Sequence, residues 1–124
     1  MADINAIAKQ FTDYYYDIFS KDRKALAPLY RDHSMLSFEA QQFQGTAAII
    51  EKLTSLPFTS IQHRVTTMDA QPAALDKASM IVLVTGQLIT GDEANPLSFS
   101  QAFQLIPDGG SYYVFNDVFR LIYG

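Results

Sequence analysis

Three side chains of this sequence have the type and setting for acid–base chemistry: His33, His63, and Asp117 in VFNDVF. The two histidines stand 30 residues apart, and neither has a carboxylate or a second histidine at metal-ligand spacing. The chain has no cysteine, which excludes disulfides, thiolate catalysis and cysteine-based zinc sites. Asp117 lies between Phe115 and Phe119 in strand-like alternation. A carboxylate on such an apolar wall has its pKa raised by desolvation and becomes a candidate general base. The simpler reading has it accept hydrogen bonds from backbone or from an arginine such as Arg64 or Arg120, and no oxyanion donors accompany it. His63 reads as a hydrogen-bonded strand residue rather than a ligand. A further carboxylate, Glu39, directly follows a phenylalanine in SFEAQQFQG, a stretch that reads as a short strand, a turn and a helix start. No P-loop, GxGxxG, HExxH or EF-hand pattern is present.

The elements that must position these groups follow from periodicity. From Asp3, a good N-cap, Ile7, Phe11, Tyr14, Tyr15 and Ile18 recur at helical spacing and predict an amphipathic helix over 4–19. A second short helix runs from Arg23 to Leu29. Met35, Leu36 and Phe38 predict a strand. Gly45 to Leu56 reads as a helix with Ile49, Ile50 and Leu53 inward, ended by Pro57. The period then becomes two, with strands beginning at Ile61 and spanning Met80 to Ile89, Leu97 to Ile106 and Tyr112 to Tyr123. Pro107, Asp108, Gly109 and Gly110 join the last two as a hairpin. Three helices followed by long antiparallel strands predict an α+β domain, a bent sheet wrapped on one helical layer.

Composition agrees with one globular domain over residues 1–124. The chain is 48% hydrophobic and 18% charged, and rich in aromatics with nine Phe and seven Tyr. At this length roughly two-thirds of the unfolded surface is buried on folding. A net charge of −4 argues against nucleic acid as a partner and favours a basic one. MADINAIAKQ has no signal-peptide character, and no apolar run approaches the ~20 residues needed to span a bilayer, so a cytosolic or nuclear protein without membrane insertion is expected. In the last strand Tyr113, Phe115, Asp117, Phe119 and Leu121 share one face, presented to the helices. Tyr112, Val114, Asn116, Val118, Arg120 and Ile122 share the other. That second face is too apolar for solvent and too polar for a core, a pattern that fits coverage by another subunit.

FTDYYYDIF, RDHSMLSFEAQQFQG, IIEKLTSLPF, IQHRVTTMDAQP, GQL and FNDVFRL, in this order from end to end, resemble the nuclear transport factor 2 family. The resemblance implies a cone of strongly bent antiparallel sheet on three N-terminal helices, with an open-ended hydrophobic cavity, no cofactor and no enzymatic activity. It further implies a homodimeric carrier of the GDP-bound GTPase Ran, present in cytoplasm and nucleus and concentrated at the nuclear envelope through nuclear pore binding. By position, Glu39 falls on the cavity-rim glutamate that pairs with a basic residue of Ran's switch II region. Phe38, Phe58 and Phe119 fall on cavity positions that receive an aromatic side chain of Ran. Asp92 and Glu93 of GQLITGDEANP are the carriers of two further rim acids, in a loop whose spacing before its proline differs from animal members. Phe38 replaces the tryptophan of those members. The second implied partner is the phenylalanine–glycine repeat of nucleoporins, with Ile4 at an aromatic position of the family's first helix and Pro72 and Ala73 on the opposite wall. Leu83 and Val118 match dimer-interface positions. Two other readings stand beside this one: an isomerase- or dehydratase-type enzyme of the same fold using Asp117 or His63, and a scaffold module like those in export receptors or stress-granule proteins.

Overall fold

In the computed structural model, which describes residues 3–57, 60–75, 78–91 and 96–122, the Asp3 carboxylate opens α1 (Ile4–Lys21) by accepting from the Asn5 N–H at 3.0 Å. The helix buries Ala8, Phe11, Thr12, Tyr15, Tyr16 and Phe19. This face is turned from the predicted one, and Tyr14 is 55% exposed. The small Ala8 and Thr12 let the helix close on the sheet, and the four large aromatics beside them outweigh Ile7 and Ile18 in buried area. A 3₁₀ helix (Arg23–Leu29) follows, capped by Asp22, whose carboxylate accepts from Lys24 N–H at 3.2 Å. α2 (Thr46–Thr54) directs Ile49 and Leu53 inward as expected and ends before Leu56.

The six strands are β1 (Met35–Phe38), β2 (Gln41–Gln44), β3 (Ile61–Pro72), β4 (Met80–Thr90), β5 (Leu97–Asp108) and β6 (Ser111–Ile122). They form one open sheet in the order β2-β1-β6-β5-β4-β3. All neighbours are antiparallel except β1 and β6, which pair in parallel. β2 is unanticipated: Phe38 pairs with Gln41 across a two-residue turn in which Glu39 and Ala40 take φ of 52° and 75°. Hairpin turns of this kind are normally marked by Asn-Gly or Asp-Gly, and that signal is absent here.

Two irregularities bend the sheet. The β3–β4 register slips between Val65 and Thr67 opposite Gly86, where a Cβ would lie 2.1 Å from the Arg64 carbonyl oxygen. Only glycine lets the strands approach there, and the bulge curls β3 over the helices. The β5–β6 register slips between Gln104 and Leu105, leaving Phe115 without a partner. This bulge reverses the alternation, so the strict parity reading fails at Val114, which is fully buried in the core rather than on the outer face. From Asn116 onward parity holds: Asp117 and Phe119 are buried, while Val118 and Ile122 are exposed on the face away from the helices.

Candidate functional site

Phe19 of α1, Phe38 of β1, Ile61 and His63 of β3, Leu88 of β4, and Phe119 and Leu121 of β6 enclose, with Leu56 and Pro57, an apolar cavity of about 200 Å³. Phe38 and Phe119 are register partners, and their rings stack at 4.8 Å between centroids and 9° between planes. Phe99 stacks on Phe119 from behind at 5.6 Å, so the wall is a continuous aromatic pile. Lys52 places its ammonium 5.4 Å from the Phe38 ring centroid. Of the three phenylalanines expected here, Phe38 and Phe119 are brought together, and Phe58 lies outside the described residues. Asp92 and Glu93 also lie outside them, following Gly91, whose N–H reaches the Ser60 carbonyl at 3.4 Å beside the cavity residue Ile61.

Glu39 stands at the end of the parallel β1–β6 ladder. Its N–H donates to the Phe119 carbonyl at 3.2 Å. The next donor on β6, Leu121 N–H, has lost its strand partner because the chain turns back at Glu39–Ala40. The Glu39 carboxylate takes that bond through Oε1. One backbone amide of a cavity residue thus orients the carboxylate, and among the described residues no hydrogen bond or ion pair engages Oε2. Both turn residues occupy the left-handed region, which for residues other than glycine costs about 1 kcal/mol or more each and marks positions held by their surroundings.

Asp117 does not face this cavity. It is 1% exposed and accepts from Gln101 Nε2 at 2.8 Å and Tyr30 Oη at 2.8 Å, with Tyr15 Oη at 3.4 Å. Tyr16 Oη in turn donates to Gln101 Oε1 at 2.7 Å. The partners are therefore two tyrosines and an amide, not Arg64 or Arg120. Burial raises the Asp117 pKa to about 6 despite the hydrogen bonds that lower it. His63 does line the cavity. Its ring stacks on Tyr16 at 4.2 Å and meets Phe19 and Phe99 edge-on, with Nδ1 buried and unpartnered. Burial there lowers its pKa to about 3, so the imidazole is neutral. The sequence carried a trace of the network: Gln101 alternates with Phe99 and Phe103 on an apolar strand face, where a buried amide requires partners. Among the described residues no cluster of three or more His, Asp or Glu could hold a metal ion.

The remaining predicted positions fall elsewhere. α1 runs antiparallel along β3, since Tyr16 lies on His63 and Thr12 Oγ1 meets Met68 Sδ at 3.5 Å. Eight helical residues back from Thr12 and four strand residues on from Met68 both cover about 12–13 Å, which brings Ile4 to the end of β3. Ile4 packs against the core, Pro72 closes β3 and is exposed, and Ala73 N–H is held by the Ser79 carbonyl at 2.9 Å. Leu83 and Val118 belong to one cross-strand row, Leu83–Ala102–Val118, on the outer face.

The sequence pattern of the nuclear transport factor 2 domain matches residues 7–121. Over 124 residues the chain is 59% identical to nuclear transport factor 2 of Emericella nidulans, covering 99% of this chain and 98% of that one. The solved structure of nuclear transport factor 2 from Cryptosporidium parvum superposes with a TM-score of 0.88 at 44% identity, covering 96% of this chain and 94% of that one. A putative scytalone dehydratase from Novosphingobium aromaticivorans shares the fold at a TM-score of 0.77 and 12% identity, over 95% of this chain and 83% of that one.

Proposed function

The chain belongs to the nuclear transport factor 2 family, and from that premise we propose that it is a nuclear import carrier for GDP-bound Ran, capturing the switch II region at the cavity. The observation that carries this reading is an apolar, aromatic-walled cavity of about 200 Å³ opening beside an oriented carboxylate on Glu39. An apolar protein cavity of about 150 Å³ takes up benzene, so this one has room for a single inserted aromatic ring. The ring supplies most of the affinity, and the rim charge fixes orientation and association rate against a basic residue. Phe38 and Phe119 form the socket with Phe58, and Asp92 and Glu93 add to the acidic rim. Phenylalanine–glycine repeats of nucleoporins dock at Ile4, Pro72 and Ala73, concentrating the carrier at the nuclear envelope, and Leu83 and Val118 join two copies. An enzyme of the same fold calls for a catalytic pair facing the cavity, whereas Asp117 lies behind the wall and His63 is the one titratable side chain among the described residues that line it. That favours the carrier.

The test is calorimetric titration with Ran-GDP and Ran-GTP in parallel. Glu39→Lys should abolish Ran-GDP binding by like-charge contact with a basic partner. Because it also removes the acceptor for Leu121 N–H, Glu39→Gln is the control: the amide oxygen keeps that bond and only the charge is lost. Phe119→Ala should weaken binding, and its stability must be followed, since a buried Phe→Ala change costs about 3–5 kcal/mol. Asp117→Asn should leave affinity unchanged. Full Ran-GDP affinity in folded Glu39→Lys and Phe119→Ala proteins would remove the cavity from cargo capture.

A further inference from the structure

Lys52 is half-buried in the last turn of α2, and its ammonium is held by neutral groups. It lies 5.4 Å from the Phe38 ring centroid, 5.7 Å from that of Phe43 and 3.3 Å from Gln41 Oε1. Phe38 and Gln41 are register partners, and Phe43 lies two residues further along the same strand face. All three therefore belong to one side of the β1–β2 hairpin, whose turn is Glu39 and Ala40. Leu56 and Pro57, just past the end of α2, line the cavity together with Phe38. The ammonium thus stands against a wall of the cavity, on the hairpin that carries the rim carboxylate. Lys9, Lys21 and Arg31 each face a carboxylate, at 2.7, 3.1 and 3.3 Å, whereas among the described residues none pairs with Lys52. Glu51 precedes it in the chain, but adjacent residues of a helix do not face each other. The negative end of the helix dipole steadies the ammonium without neutralising it.

A ring face attracts a cation but cannot cancel its charge, and an amide oxygen carries only a partial one. Shortage of acids does not explain the missing partner, since the chain has 13 Asp and Glu against 9 Lys and Arg. We propose that Lys52 is a specificity-determining residue of the cavity, donating from its ammonium to a carboxylate that flanks the aromatic side chain of the bound segment. This rests on the reading of the cavity as the cargo site. Glu39 takes a basic group at the turn of the hairpin, and Lys52 takes an acidic one beside Phe38. The bound segment must then carry both signs of charge around its aromatic residue. A segment that is basic throughout meets repulsion at Lys52, so the same ammonium selects against it. The simpler role for this side chain is cover, its four-carbon stem shielding Phe38 and Phe43 from water. The two roles differ in whether the charge itself matters.

The full chain and its variants Lys52→Met, Lys52→Arg and Lys52→Glu are titrated calorimetrically with Ran-GDP. Lys52→Met keeps an unbranched stem over both rings and removes the charge, and its melting curve verifies the fold. The proposal expects Kd to rise about fivefold or more in Lys52→Met, further in Lys52→Glu, and to stay within about twofold in Lys52→Arg. The titrations are repeated with Ran-GDP in which the carboxylates of switch II are changed singly to amides. One such change should cost the same factor against the parent chain and nothing more against Lys52→Met, the signature of a direct pair. Parent-like affinity in both Lys52→Met and Lys52→Glu overturns the proposal and leaves the cavity as the cargo site. A loss in Lys52→Met that adds fully to every carboxylate change also overturns it, because the side chain then only covers the rings. Tighter binding by Lys52→Glu does the same, since the ammonium would be opposing a basic partner. A folded parent chain that fails to bind Ran-GDP overturns the cargo reading, and this assignment with it.

Discussion

Asp117 is buried and His63 partly buried among the same aromatic side chains, yet loss of solvent moves them in opposite directions, and each direction has a consequence for stability. The Asp117 carboxyl is raised from 3.8 to about 6 in the folded chain. Between those values the native state keeps a proton that the unfolded chain has lost, so stability falls as pH rises from about 4 to 6 and is level above. His63 is lowered from 6.5 to about 3. Over the same window the unfolded chain holds a proton that the native state refuses, so stability rises with pH until about 6.5. Each slope is about 1.4 kcal/mol per pH unit, and the two contributions cancel. Unfolding free energies from urea titration at pH 4.5 and 6 should therefore change little from these two groups in the parent chain. Asp117→Asn should expose a rise of about 2 kcal/mol between those points, and His63→Gln a fall of similar size. Parallel profiles for all three proteins would show that neither group is perturbed. The turn residues beside the cavity allow a separate measurement. Ala40 holds φ of 75°, a conformation that costs a residue with a Cβ and not glycine, so Ala40→Gly should stabilise the chain by about 1 kcal/mol. Glu39→Gly should gain less, because relief at φ of 52° is offset by loss of the bond to Leu121 N–H.

The elements written in strong local signals were legible without coordinates: α1 from its Asp3 cap and aromatic spacing, the 3₁₀ helix over its full extent, and the four long strands from alternation. The misses share a cause, since each depends on a contact distant in sequence. β2 needs a left-handed turn made by Glu39 and Ala40, residues that announce none. The inner face of α1 is set by what Ala8 and Thr12 allow against β3, which helical spacing does not disclose, and so the spacing alone predicts Tyr14 inside. Parity predicts Val114 outward because a bulge opposite Gln104 and Leu105 is invisible to a period of two. Similarly, the tyrosine and glutamine partners of Asp117 come from α1, the residue that caps the end of the 3₁₀ helix, and β5, which no local pattern joins. The bend at Gly86 was equally hidden and has a sharp test. A methyl group there would sit 2.1 Å from a backbone carbonyl that cannot rotate away, so β3 would have to retreat from β4. Overpacking of this kind costs about 1–3 kcal/mol, and Gly86→Ala should lower the urea midpoint accordingly with an unchanged slope. His63 and Ile61 of β3 line the cavity, so its capacity for an aromatic guest should fall as well, read by calorimetry of cargo binding. An unaltered midpoint would mean that the strands are bent by something other than this glycine.

Seen entire, the domain has two sides of different character. One closes over an aromatic interior, and the other leaves Ile81 and Leu83 of β4 and Val118 and Ile122 of β6, on either side of β5, between 46% and 53% exposed, with Val65 at 40%. Single exposed apolar residues are ordinary, but several of them on one face of a sheet fit the pairing of copies proposed above. A second copy is the economical occupant, because two-fold pairing lets one patch serve as its own complement. Register gives the point of greatest sensitivity. Leu83, Ala102 and Val118 form one row across β4, β5 and β6, with Arg120 in the neighbouring row beside Thr85 and Ser100. Val118→Glu would bring a carboxylate from each copy into the seam, where desolvation without a partner costs several kcal/mol per charge. Within one copy the same change is on an open surface and should alter the protomer's own stability by no more than about 0.5 kcal/mol. The two settings separate cleanly. Sedimentation velocity at micromolar concentration should show the parent chain as a dimer and Val118→Glu as a monomer. Leu83→Lys, in the same row but of opposite charge, should also sediment as a monomer, which excludes a chance pairing of the new glutamate with Arg120. An equimolar mixture of the two variants should recover dimer, since opposite charges then meet across the seam. Dimeric Val118→Glu and Leu83→Lys proteins would place the contact on another face, and a monomeric parent chain would leave this patch for a different protein.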